Sequence, residues 1–157
     1  MKVRVWSGRF ASNGAALALL LVVLAPPAEA ALGDGVASIE GDRRRVGGTL
    51  SRSTGAGHLV HEIETPAGSR VREFVSPAGF VFAVAWEGPR IPDLRQLLGA
   101  HFEAYSRAAQ QRQGRRGPLV LELPGLVFES YGHPRSFRGR AYLPELLPEG
   151  VQTDAIR

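Results

Sequence analysis

No residue of the chain is a cysteine. That excludes disulfides, thiolate metal centres and a lipid-bearing cysteine behind an export signal, so a folded core has to hold by packing alone. No G-x-S-x-G elbow, no G-x-G-x-x-G and no phosphate-cradling glycine loop ahead of a helix occurs either. Serine-hydrolase, dinucleotide and nucleotide-phosphate chemistry therefore lack their usual backbone devices. Charge of one sign is not in large excess, with 19 Lys+Arg against 15 Asp+Glu. The two signs are interleaved and form no basic stripe, so no nucleic-acid partner is expected.

Long apolar runs are missing except at residues 15–25. That run falls well short of the roughly 20 residues that span a bilayer. Lys2, Arg4 and Arg9 precede it, Pro26 and Pro27 break it, and Ala28-Glu29-Ala30 follows with the small-residue pattern of a cleavage site. Residues 1–30 are thus expected to be an export signal cut after Ala30, which places the protein in the periplasm or outside the cell. Its removal takes away three basic residues and one acidic one, so the formal charge falls from +4 to +2. The remaining ~127 residues suit one domain without a membrane-spanning helix. Residues 31–150 are expected to form that domain, and residues 151–157 a frayed tail.

The chain that remains changes period several times. Asp34 is a candidate N-cap for a short helix carrying Val36, Ile39 and Val46 on one face, with Arg43, Arg44 and Arg45 at a solvated helix end. The polar stretch 51–57 reads as a mobile linker. From His58 the period is two, and the tetrapeptides Thr65-Pro66-Ala67-Gly68 and Ser76-Pro77-Ala78-Gly79 cut the pattern into three strands of one meander. In each, proline presets φ at the second turn position and glycine accepts the left-handed conformation. The third strand, residues 80–86, is apolar on both faces, as expected in mid-sheet. Phe80, Phe82, Val84 and Trp86 should face one way, and the small face of Val81, Ala83 and Ala85 is where a helix would approach.

Pro92-Asp93 opens the one strongly amphipathic helix, in which Leu94, Leu97, Leu98, His101, Phe102, Tyr105, Ala108 and Ala109 share a stripe. After the polar loop 111–118, residues 119–123, 126–131 and 135–143 read as three further strands. The expected fold is α+β: an antiparallel sheet of about six strands in two three-stranded meanders, one long helix between them and a short N-terminal helix.

With these residues in view, the chain resembles a family of small exported Gram-negative bacterial proteins known only as a domain of unknown function. LGDGVASIEGDR, VHEIETPAGSRVREFVSPAGFVFAVAWEGPRIPDLRQLLG and GHPRSFRGRAYLPELLPEGV carry the resemblance. It implies export and a single domain, and it supplies no catalytic residues.

Few side chains suggest chemistry. His58 and His61 are three apart on a strand and point to opposite faces, so they cannot share an ion. His101 reads as a boundary residue of the helix stripe. Glu62, Glu73, Glu87 and Glu129 have arginines near enough for cross-strand ion pairs. No metal or cofactor is expected. The constellation left is His133, Arg135, Arg138, Arg140 and Tyr142, where the strand period puts Arg138, Arg140 and Tyr142 on one face. Arginine forks beside an aromatic suit carboxylate or phosphate groups of an envelope protein or an anionic envelope polymer. The same face also reads as a plain solvated surface paired to Glu122 or Glu129. A non-catalytic binding module is the leading expectation, with a small hydrolase using a His/Glu pair in a helix–sheet groove as the alternative.

Overall fold

The computed structural model describes residues 32–35, 48–55, 57–112, 114 and 117–157. The expected export signal and N-terminal helix lie outside these, apart from Asp34 at the edge of the helix. Asp34 sits in a short segment that docks on the sheet, where its carbonyl accepts from the Val81 amide at 2.9 Å and the Gly33 amide donates to the Val81 carbonyl at 2.8 Å.

Seven strands are present among the described residues: β1 (Thr49–Gly55), β2 (His58–Glu64), β3 (Arg70–Val75), β4 (Val81–Gly88), β5 (Leu119–Leu123), β6 (Leu126–His133) and β7 (Ser136–Tyr142). They form one antiparallel sheet in the order β1-β2-β3-β4-β7-β6-β5. The two expected meanders are therefore joined edge to edge through β4 and β7. The strand beyond the expected six is β1, which occupies most of the stretch read as a linker. Its side chains are mostly exposed, so it has no apolar alternation to betray it. Pairing along its whole length with β2 makes it a strand, and polar side chains suit a sheet edge that must not recruit other chains.

The two proline turns behave alike. Gly68 and Gly79 have φ of 77° and 84°, and each glycine amide closes on the carbonyl of Thr65 or Ser76 at 2.9 Å. The Thr65 and Ser76 hydroxyls accept from the amides of Ser69 and Phe80, at 3.0 and 3.3 Å.

Between the meanders lies a helical segment built of α1 (Leu94–Leu98), a 3-10 turn (Gly99–His101) and α2 (Phe102–Gln110). Asp93 caps its start, accepting from the Arg95 and Gln96 amides at 2.9 and 3.3 Å. Gly99, with φ 49°, marks the step between the two parts. Leu97 and Leu98 are buried, and Leu94, Phe102, Tyr105, Ala108 and Ala109 pack around the same core. This core holds Val71, Val84, Trp86, Phe128 and Ala141, with the Tyr105 and Phe128 rings 4.5 Å apart. Burial pushes the Tyr105 hydroxyl pKa up. His101 is half-buried, as a boundary residue would be.

The expected division of Val84 and Trp86 from Ala83 and Ala85 on β4 holds, but the sides of Val81 and Phe82 and the face that the helix covers need correction. A bulge sets Val75 opposite Val81 while Phe74 stays opposite Ala83, and the extra residue reverses the alternation. Val81, Val84 and Trp86 face the helix, whereas Phe82, Ala83 and Ala85 face away, and Phe80 is left 47% exposed. The small alanine face is covered instead by the C-terminal residues. Ile156 is 1% exposed against Phe74, Phe82, Ala83 and Ala85, with Leu147 and Val151 beside it. Residues 151–157 are thus packed, not frayed, because one isoleucine fills the shallow floor that the alanines leave.

Candidate functional site

The face of β7 turned from the helix carries Arg138, Arg140 and Tyr142, as the period requires, but the three have different surroundings. Arg140 stands opposite Glu129 on β6 and donates to its Oε1 at 2.9 Å. Its other terminal nitrogen donates to the carbonyls of Thr153 at 2.5 Å and Ile156 at 3.5 Å. The Glu129 carboxyl is held below the usual carboxylate range, chiefly by this hydrogen bond and against the opposing effect of burial. Tyr131 donates to Glu129 Oε2 at 2.5 Å, which pushes the tyrosine hydroxyl pKa up. Tyr142 is half-buried and packs on the cluster around Ile156. Arg140 and Tyr142 therefore hold the C-terminal segment down, and Glu129 is the ion-pair partner named from the sequence as the plain reading of this face.

Arg138 differs. It stands opposite Glu87 on β4 and Tyr131 on β6, yet it makes no ion pair or side-chain hydrogen bond among the described residues. The reason is competition for Glu87. Its Oε1 already takes Arg70 at 2.8 Å and Arg72 at 3.2 Å, and both arginines also reach Glu62, at 3.2 and 2.7 Å. Two carboxylates and two guanidiniums satisfy one another, and Arg138 remains an exposed extra cation.

His133 and Arg135 belong to the turn that joins β6 to β7, and both are exposed. Pro134 followed by a residue of positive φ matches a type II turn, where the second position normally takes glycine. Here it is Arg135, with φ 71°, alone among the described non-glycine residues in being left-handed. Such a conformation costs roughly 1–2 kcal/mol in a residue with a Cβ. Arg138 borders three adjoining open clefts: one of about 420 Å3 shared with Arg135, one of about 360 Å3 shared with His133 and Tyr131, and one of about 470 Å3 reaching Arg140 and Arg157. The structure thus splits the five predicted residues. His133, Arg135 and Arg138 form an exposed corner; Arg140 borders one of its clefts but is engaged by Glu129 and the C-terminal carbonyls, and Tyr142 lines none of them. Sequence reasoning missed the strain at Arg135, although a proline followed by a non-glycine residue in a two-residue turn was its visible sign.

On the helix side, His61 and Glu73 are direct neighbours on β2 and β3, and both are buried, at 3% and 1% exposure. His58 points to the other face, where its ring lies 5.7 Å from Phe74. Glu73 lines a cavity between α1 and the sheet that His61 does not reach. Ser69, which also lines it, spends its hydroxyl on the Arg90 carbonyl at 3.2 Å. Among the described residues no three metal-ligating side chains converge, and no helix is long and apolar enough to cross a membrane.

Fold and corner together define a one-sheet α+β domain, helix-covered on one face and closed on the other by its own C-terminal residues. Residues 28–156 match the family model described as "Protein of unknown function (DUF2844)". The chain belongs to that family. No curated protein and no solved structure matches it.

Proposed function

We propose that this is an exported, non-catalytic envelope protein that binds anionic groups of an envelope polymer through the corner formed by His133, Arg135 and Arg138. The observation that carries the reading is the exposed Arg138 guanidinium, which has no ion pair among the described residues because Arg70 and Arg72 already take the carboxylate opposite it, Glu87. A left-handed arginine beside it, where glycine would be free of strain, supports the same reading, since strain of this kind is retained where a side chain has another task. The hydrolase alternative is less well supported. The helix–sheet cavity brings in Glu73 without His61, and its one serine is engaged with the backbone.

The test is co-sedimentation of the purified protein with isolated cell envelopes over a salt series. At low salt the Arg138→Gln variant should bind about tenfold more weakly, the loss of one charged contact of roughly 1.4 kcal/mol, and its salt dependence should be shallower. Arg135→Gly should also bind more weakly, although it relieves the backbone. Equal retention of wild type and both variants would reject the corner. Retention abolished by protease treatment of the envelopes would show that the partner is a protein and not a polymer.

A further inference from the structure

Along the face of the β6–β7 hairpin turned from the helix, Glu129 stands opposite Arg140, Tyr131 opposite Arg138 and His133 opposite Ser136. The first of these pairs is closed by its own ion pair and by the Thr153 carbonyl. The other two border one open cleft of about 360 Å3, lined by Tyr131, Gly132, His133, Ser136 and Arg138. Directly opposed side chains lie about 5 Å apart at Cβ, and successive pairs on one face about 7 Å apart along the strand. Those are the dimensions of one pyranose ring with its substituents.

Tyr131 is 37% exposed, yet its hydroxyl is spent on Glu129 Oε2 at 2.5 Å. It borders both this cleft and the neighbouring one of about 470 Å3, so it stands as a wall between them. What it offers a ligand is therefore ring surface and not a hydroxyl. An aromatic face carries partial negative charge, and its complement is a surface of C–H bonds with polar groups at the rim, which is how a sugar is built. At that rim the Ser136 hydroxyl can donate and accept, and the His133 imidazole, held at Nδ1 3.3 Å from the Pro134 carbonyl, adds a second polar edge. Arg138 sets the charge, since no carboxylate lines the cleft and its one guanidinium is this one. A single guanidinium matches the single charge of a carboxylate and forks onto its two oxygens, whereas a phosphomonoester brings close to two charges.

We infer that this cleft is a subsite for one uronic acid residue of an acidic polysaccharide. The C–H face of the sugar lies on Tyr131, its carboxylate takes the Arg138 fork, and its hydroxyls meet Ser136 and His133. The inference rests on the reading of the corner as an anion site and narrows it to one class of polymer, with Tyr131 and Ser136 as further binding residues. A Kd on the order of 1 mM per sugar residue is expected.

The experiment is an amide NMR titration of the full chain with trigalacturonate, maltotriose and triglutamate: rings with charge, rings without it, and charge without rings. Trigalacturonate should give saturable shifts at Tyr131, His133, Ser136 and Arg138, with each of the other two at least fivefold weaker. Arg138→Gln should weaken trigalacturonate about tenfold and leave maltotriose unchanged. Tyr131→Leu should weaken trigalacturonate about fivefold and leave triglutamate unchanged, whereas Tyr131→Phe should keep the wild-type affinity because the ring is what binds. Triglutamate as tight as trigalacturonate, with Tyr131→Leu silent and Arg138→Gln weakening both, would overturn the sugar subsite and leave an anion site at the corner. Maltotriose as tight as trigalacturonate would overturn the role given to the carboxylate. No saturable shift with trigalacturonate would overturn the subsite outright, and the corner would then stand or fall on the envelope retention of Arg138→Gln.

Discussion

Glycine 139 shows how closely single residues are set in this sheet. A Cβ there would lie 2.3 Å from the indole of Trp86 and 2.7 Å from the Glu129 carbonyl, so the Trp86 ring can cross β7 only because the position is bare. Gly139→Ala should cost about 1–3 kcal/mol by overpacking, read as a lower midpoint in denaturant with an unchanged slope. Glu129 makes a second test. Its carboxyl is more acidic when folded than when unfolded, because Arg140 favours the charged form. The stability this adds is fully present above the unfolded glutamate value, near pH 4.3, and is lost as pH falls through the lower folded value. The stability difference between wild type and Glu129→Gln should therefore be constant from pH 7 to 5 and shrink below about pH 4. A difference that grows on acidification would contradict the ion pair. The residue scale was also where the sequence said least. Period two put Arg138 and Arg140 on one face, but only the fold shows that one meets two C-terminal carbonyls while the other finds its opposite carboxylate taken.

Elements were legible where the instructions are local. The paired Pro-Ala-Gly turns and the Asp93 cap act through dihedrals and hydrogen bonds within four residues, so they can be read directly. The helix stripe follows from its period. β1 was not legible, because its strand character comes from pairing with β2 and not from its own polar side chains. The β4 bulge carries no glycine to mark it, and its one extra residue was enough to exchange the sides expected of Val81 and Phe82. The C-terminal segment offers a single large apolar residue near its end, too little to suggest docking from sequence. Its packing makes a sharp prediction. Ile156→Ala should cost about 2–5 kcal/mol, comparable to Leu98→Ala in the helix-side core. Urea unfolding of both variants decides it, and a shift for Ile156→Ala as small as that for an exposed residue would restore the frayed tail.

Across the whole molecule, one sheet is closed by a helix on one side and by the chain's own C-terminal residues on the other. Arg140 belongs to the closing side, tied to Glu129, Thr153 and Ile156, whereas Arg138, two residues away, pairs with no side chain among the described residues. That division of labour is the centre of the account, because an arginine needed for folding is not free to bind. Thermal unfolding of Arg138→Gln and Arg140→Gln, measured side by side at pH 7, tests it most directly. Arg138→Gln should fall within about 0.5 kcal/mol of wild type, as a surface substitution does. Arg140→Gln should lose about 1–3 kcal/mol, since it leaves a partly buried carboxylate and two carbonyls without their donor. Equal losses, or a larger loss for Arg138→Gln, would contradict the account.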